Sequence, residues 1–503
     1  MSADMFFKGG TAVKGACFLL ALCCLLTLTG CGGQPEASDP VSRPDVPQTD
    51  TQQGLTTFAL AYSYEDTLDP FATKSEANFW LAGLLYDALV EIEDGFVPTL
   101  SLAAAVDTPD PTHLTVSLRS AAFSDGSPVT PGDVVASFRR AKESVHYRAL
   151  LANVTSAAVS GDGVAFTLAA ADVNGLAALS FPVVKDGTFT AEAGKAPVGS
   201  GPYVYEPTAS GARLTARGAA TYPTVMLRHL PNSMAMYYAL ASGDIAYYYS
   251  DLDTGELPQR IGANAAVDMN GLVFLGVNSA RPRLGDATVR RALSALLDRG
   301  AIATAAYSGW ATPSQQPFHP TWQPMTALSL ASPLRVLDGA VRLLDEAGCS
   351  VGSEGKRLTL ELLYCTDNSD RAAVAELART QMLGGGVEIT TVGLAEEEYL
   401  ARLQKGEYDL YLGEIRLTAD MSLRPLLMGG AASYGVPVGG AAAVAYSGYL
   451  RGDTDLAAFL QTFAADLPYI PLCWRSGFAA YDRQLTVVTP TGYNPYNGLA
   501  GWQ

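Results

Sequence analysis

One stretch of the chain, Phe123-Ser124-Asp125-Gly126-Ser127-Pro128-Val129-Thr130-Pro131-Gly132-Asp133-Val134-Val135, leaves the backbone very little choice. Asp125-Gly126 makes a tight turn, because glycine takes a positive φ without a Cβ clash. Thr130 then caps a helix that has Pro131 at its first position and Asp133 in its first turn, where a carboxylate favours the positive end of the helix dipole. Val134, Val135, Phe138 and Ala141 form an apolar stripe, while Arg139, Arg140 and Lys142 stay in water. Just upstream, Thr115-Val116-Ser117-Leu118 alternates as a half-buried strand does.

The same alternation of strand and helix runs through the rest of the chain. Phe58 to Tyr62 reads as a strand, and Glu76 to Leu89 reads as a helix with Phe79, Gly83, Tyr86 and Leu89 near one face. Leu272 to Val277 is a strand, followed by a helix from near Asp286 carrying Val289, Ala292, Leu293, Leu296 and Leu297 at helical spacing. A further helix, Ala340 to Ala347, stops at Gly348 as a left-handed cap requires. This pattern predicts α/β architecture. The chain has 503 residues, well beyond the ~100–200 of one typical domain, so at least two lobes are expected.

Near the N-terminus, Lys8 and Lys14 precede an apolar run, Ala16 to Leu28, which is too short to cross about 30 Å of hydrocarbon at ~1.5 Å per residue. It reads as an export signal. Its end, Leu28-Thr29-Gly30-Cys31, resembles the bacterial lipobox, which would make Cys31 the first mature residue and the site of a diacylglycerol; the alternatives are an ordinary signal peptide or an uncleaved anchor with a chance cysteine. Gly32 to Gly54 is rich in Pro, Ser, Asp, Gln and Thr and reads as a tether to the membrane. A net charge of −17 argues against nucleic acid and against lying flat on anionic lipid, since both need Lys and Arg to replace counterions. Of 7 cysteines, Cys349, Cys365 and Cys473 lie beyond the signal and the lipobox, as one disulfide with one thiol or as three thiols.

Chemistry-bearing patterns are sparse. His113, His146, His229 and His319 have no metal-ligand spacing, so no metal site and no resident cofactor are expected. No GxSxG elbow, HExxH pair or phosphate loop occurs, so no catalytic residues are assigned. Tyr237, Tyr238, Tyr247, Tyr248 and Tyr249 are candidates to line a cleft. The consecutive tyrosines of a strand must point to alternate faces, so only some of them can do so.

The segment Leu118-Arg119, Phe123-Ser124-Asp125-Gly126-Ser127-Pro128-Val129-Thr130 and Asp133-Val134 is similar to a signature of the peptide and dipeptide family of bacterial solute-binding proteins. Thr67-Leu68-Asp69-Pro70, Leu85 to Val90, Pro197 to Tyr203, Asn278, Val289 to Leu293 with Asp298-Arg299, Leu343 to Gly348 and Pro468 to Leu472 follow in the family order. The chain thus resembles family 5 of the extracellular solute-binding proteins, which handle peptides, dipeptides and nickel.

That resemblance implies a two-lobe, periplasmic-binding-protein-like α/β fold of class II, cluster C, with an extra inserted subdomain. By position, residues 1–30 are the signal, 31–54 the tether, 55–85 with 196–268 and 483–503 the first lobe, 86–195 the inserted subdomain, and 269–482 the second lobe. It implies a monomeric, lipid-anchored extracytoplasmic protein that passes a peptide or similar solute to an ABC permease and its ATPase. Alternatives are a nickel chelate or other non-peptide ligand, a sensing lipoprotein that does not transport, and an extracytoplasmic hydrolase.

The family's amine-binding aspartate corresponds to Asp420 in Thr418-Ala419-Asp420; on residue type alone, Asp420 could equally cap a helix or turn. The tryptophan and arginine often found before that aspartate correspond to Leu417 and Glu414, with Arg416 off register, and Met428 to Asp453 is shorter than its family counterpart. Arg416, Tyr248, Trp474 and Arg475 complete the candidate ligand contacts.

Overall fold

The computed structural model describes residues 58–209, 211–252, 262–329 and 334–503. The export signal, Cys31 and the tether lie outside the described residues. No helix among the described residues is long and apolar enough to cross a membrane.

The turn and cap read from Phe123 to Val135 form as their chemistry requires. Gly126 has φ 85°. Thr130 and Asp133 exchange side-chain and backbone hydrogen bonds in a capping box that starts the helix Pro131–Glu143, with Pro131 at its first turn. Val134, Val135, Phe138 and Ala141 are buried, and this face packs on an antiparallel sheet in the order Ala103–Asp110, His113–Leu118, Gly163–Leu168, Val154–Ser160. On either side of this sheet and helix the chain comes back together, with Gly199 to Gly201 packed against Leu85.

The helix expected over Glu76 to Leu89 is shorter. It forms as Glu76–Trp80 and Ala82–Leu85, and Tyr86 is extended (φ −135°, ψ 125°). The cause lies more than a hundred residues away. Gly201 N donates to Leu85 O at 3.0 Å, and a Cβ on Gly199 or Gly201 would fall 2.0 or 2.5 Å from Leu85 backbone atoms. The Tyr86 hydroxyl donates to Leu68 O at 3.0 Å, which fixes the exit, and Val90–Glu93 then opens a hairpin with Val97–Leu100.

A small sheet joins Phe58–Tyr62, parallel, to Thr224–His229, which continues antiparallel through Gly211–Ala216 to Tyr203–Thr208. A larger, seven-stranded sheet runs Tyr247–Ser250, Tyr469–Tyr481, Ala263–Val277, Leu410–Arg416, Leu358–Cys365, Val387–Leu394, with Ala311–Pro313 paired to Tyr469–Tyr481. Its distal half is a pair of β-α-β units, with helices Ser369–Leu383 and Glu396–Lys405 between parallel strands. The strand expected over Leu272 to Val277 is the far half of Ala263–Val277. Its near half is mixed in polarity and is made a strand by its partner.

Ala263–Val277 and Tyr469–Tyr481 cross from the Tyr247–Ser250 side to the β-α-β side as an antiparallel pair. Its register slips between Asp268 and Gly271, and again between Val273 and Phe274. A two-strand crossing with a local bulge bends more easily than an unbroken ladder. Tyr247 and Tyr249 face a core containing Trp80, Tyr496 and Trp502, whereas Tyr248 faces a separate cluster with Phe478, the alternation expected of a strand. Cys349, Cys365 and Cys473 are three buried free thiols.

Candidate ligand-binding site

A cavity of about 360 Å³ opens where four parts of the chain meet. The short helices at Glu76 to Leu85 supply Phe79, Trp80 and Gly83. Residues 86–195 supply Glu91, His146, Tyr147 and Leu150, the C-terminal segment Tyr493 and Asn494, and the end of strand Leu410–Arg416 the run Arg416 to Ala419. The walls combine aliphatic and aromatic side chains, and a few polar groups converge on them, as in small-molecule sites generally.

Arg416 is pinned from several sides. One Nη donates to Gly492 O at 2.9 Å, the other lies 3.5 Å from Asp251 Oδ2, and the guanidinium sits 5.9 Å from the Trp80 ring centroid. The following backbone is tied to the crossing strand, since Leu417 N donates to Asn270 O at 2.8 Å and Asn270 Nδ2 donates to the Tyr493 hydroxyl at 2.8 Å. Thr418 to Met421 then turns, with Met421 N donating to Thr418 O at 2.9 Å and Met421 at φ 54°.

Asp420 follows Thr418 and Ala419 in the chain but is not itself among the residues that line the cavity. It is 5 % exposed and accepts a hydrogen bond from the Thr418 hydroxyl. Burial pushes its pKa up from 3.8 to about 7; the Thr418 bond opposes this, and the neighbouring Asp172 adds to it. It does not cap the next helix, Arg424–Leu427, whose N-cap is Leu423.

The other candidates separate. Arg416 lines the cavity. Tyr248 lines a smaller one, of about 20 Å³, with Glu76, Trp80 and Tyr496. Trp474 is fully buried beside His319, at 5.3 Å between ring centroids. Arg475 is buried too, bonded to Glu414 at 2.5 Å and to Leu252 O, so it ties the segment after strand Tyr247–Ser250 to strand Leu410–Arg416. Neither Trp474 nor Arg475 is in the cavity wall. Tyr238 is 64 % exposed on the helix Ser233–Ser242, away from the cavity.

Sequence reasoning missed Phe79, Trp80, His146, Tyr147, Tyr493 and Asn494. His146, scattered in sequence, stacks on Phe79 at 4.4 Å, and its Nε2 lies 2.8 Å from Thr73 O. Among the described residues no group of three His, Cys, Asp or Glu is arranged to hold a metal ion.

Residues 97–425 match the model of the bacterial extracellular solute-binding proteins, family 5 middle region. The chain belongs to this family. Membership makes it a solute-binding protein and not an enzyme. Protein XP55 of Streptomyces lividans is 27% identical over 386 residues, covering 70% of this chain and 69% of that one.

Among solved structures, the unliganded open form of the periplasmic murein tripeptide-binding protein MppA superposes with a TM-score of 0.73 at 18% identity, over 88% of this chain and 96% of that chain. A nickel ABC transporter from Bacillus halodurans gives 0.71 at 22%, over 87% and 97%. The oligopeptide-binding protein AppA of Bacillus subtilis, in complex with a nonapeptide, gives 0.57 at 18%, over 89% and 98%. The family 5 protein therefore has the two-lobe fold of this group.

Proposed function

We propose that this family 5 protein is the substrate-binding lipoprotein of an ABC importer, which shuts two lobes over a small peptide or peptide-like solute and delivers it to the membrane permease. The observation that carries this reading is the composition of the cavity wall. Helix Glu76–Trp80, the insertion, the C-terminal segment and Arg416 to Ala419 each contribute, so a solute is enclosed only when all are together. Ligand contacts made only in the shut form are what drive closure. We assign the first lobe to residues 55–85, 196–268 and 483–503, the inserted subdomain to 86–195 and the second lobe to 269–482.

The volume, about 360 Å³, is near the lower end of the roughly 300–1,000 Å³ typical of small-molecule pockets and favours a short ligand. Asp420 is the proposed anchor for the ligand's amine, reached through the turn at Thr418 and Ala419, with Arg416 as the wall's guanidinium and the aromatic rings holding the body. The Leu28 to Cys31 segment supports lipid anchoring at Cys31 on the extracytoplasmic face. A second reading, a metal carried inside a small chelator, is favoured by His146 in the wall and by the nickel transporter among the structural neighbours.

Calorimetry with short peptides and their N-acetylated forms tests the assignment. An amine anchor requires acetylation to abolish binding and Asp420→Asn to weaken it about 100-fold, since cutting one partner from a buried charge pair costs about 2–5 kcal/mol. Equal affinity of wild type and variant for the free-amine peptides would reject it.

A further inference from the structure

We propose that the loop Ala171 to Asn174 of the insertion is a latch that holds the second lobe shut, with Asp172 and Arg424 as its positioning residues. The proposal rests on the closing cleft described above and gives the insertion a role in ligand retention.

The loop is preset by its own sequence. Asp172 Oδ1 accepts from Asn174 N at 3.0 Å, and Asp172 O accepts from Gly175 N at 3.0 Å, which aims the carboxylate outward from the turn. Arg424, Tyr449 and Leu450 of the second lobe then meet it. Arg424 Nη2 donates to Ala171 O at 3.1 Å and lies 3.4 Å from Asp172 Oδ2. The Tyr449 hydroxyl donates to Asn174 Oδ1 at 3.2 Å, and Val173 N donates to Leu450 O at 3.0 Å. The Asp172 side chain is 1% exposed, although Val173 beside it is 53% exposed, so the seam is closed by polar groups at the molecular surface.

The seam adjoins the ligand site through charge. Arg424 bonds Asp172, and the charge of Asp172 also acts on Asp420, whose pKa it helps to raise. Arg424 Nε and Asn174 Nδ2 are buried without acceptors, which keeps the fastened seam weak enough to reopen.

Hydrogen exchange of the unliganded full chain, read at the Val173 amide, tests the latch without a ligand. Asp172→Asn and Tyr449→Phe should each speed exchange at Val173 about tenfold, leaving the amides of helix Pro131–Glu143 unchanged. The exchanged pair Asp172→Arg with Arg424→Asp should restore it. Small-angle scattering should show the single variants more open at an unaltered melting temperature. Unchanged exchange at Val173, or a lowered melting temperature with no gain in radius, overturns the proposal and identifies a fixed subdomain interface. Neither outcome touches solute binding, which calorimetry reads separately.

Discussion

Replacing Asp420 by asparagine keeps the shape of the side chain and the acceptor for the Thr418 hydroxyl, but removes a proton that titrates. In the folded chain burial holds the Asp420 pKa near 7, against an ordinary 3.8. Between these two values the folded state keeps a proton that the unfolded state has lost, so stability falls as pH rises through the window. At about 1.4 kcal/mol per pH unit, the loss reaches about 4 kcal/mol by neutral pH. Asp420→Asn is free of this term. In urea melts at pH 5, 6, 7 and 8, the variant should gain on the wild type steadily up to pH 7 and level off above it. Differences that stay constant within about 1 kcal/mol across the series would mean that Asp420 is an ordinary solvated carboxylate, and would remove the reason to place a ligand amine there. An amine bound at Asp420 favours the ionised form, so at pH 6 its binding should release a proton, seen as a dependence of the calorimetric heat on the buffer's ionisation enthalpy.

Gly201→Ala should destabilise the chain by at least about 1–3 kcal/mol, since the new Cβ falls 2.5 Å from Leu85 backbone, and denaturant melts read this directly. Thr130→Ala breaks the capping box of Pro131–Glu143 and should cost about 0.5–2 kcal/mol with no change in ligand affinity, which separates the family signature from the binding site. In a chain beginning at Gly54, Cys349, Cys365 and Cys473 should resist a thiol reagent until urea unfolds the protein and then all react, because each is a buried thiol. Reaction of only one after unfolding would mean that the other two are joined.

What could be read from the residues was the chemistry that is local. The Asp125-Gly126 turn, the Thr130 cap and the apolar stripe of Val134, Val135, Phe138 and Ala141 are set by neighbours within a few positions, and they form as read. The helix from Glu76 is shorter than its local sequence implies because its end is set by Gly199 and Gly201, packed against Leu85 from more than a hundred residues away. The strand before Leu272 was missed for a similar reason, since its polarity does not alternate and only the pairing with Tyr469–Tyr481 extends it.

Trp474 and Arg475 were expected near the cleft. They lie in a crossing strand covered on both faces, where every position but the last is buried, and such a strand has no free side to offer a ligand. The cavity itself was not legible. Phe79, His146, Arg416 and Tyr493 come from segments separated by tens to hundreds of residues, and no periodicity links them. Asp420 is a candidate only through its likeness to a family segment.

The central claim is that this chain encloses a solute and returns it unaltered. Native mass spectrometry of the protein after incubation with an extract of its own cells tests this most directly. The expected result is a single solute-sized addition per chain, whose mass after release by denaturant equals that of a compound present in the extract. A bare chain after every extract and peptide offered, or a released compound of altered mass, would contradict it.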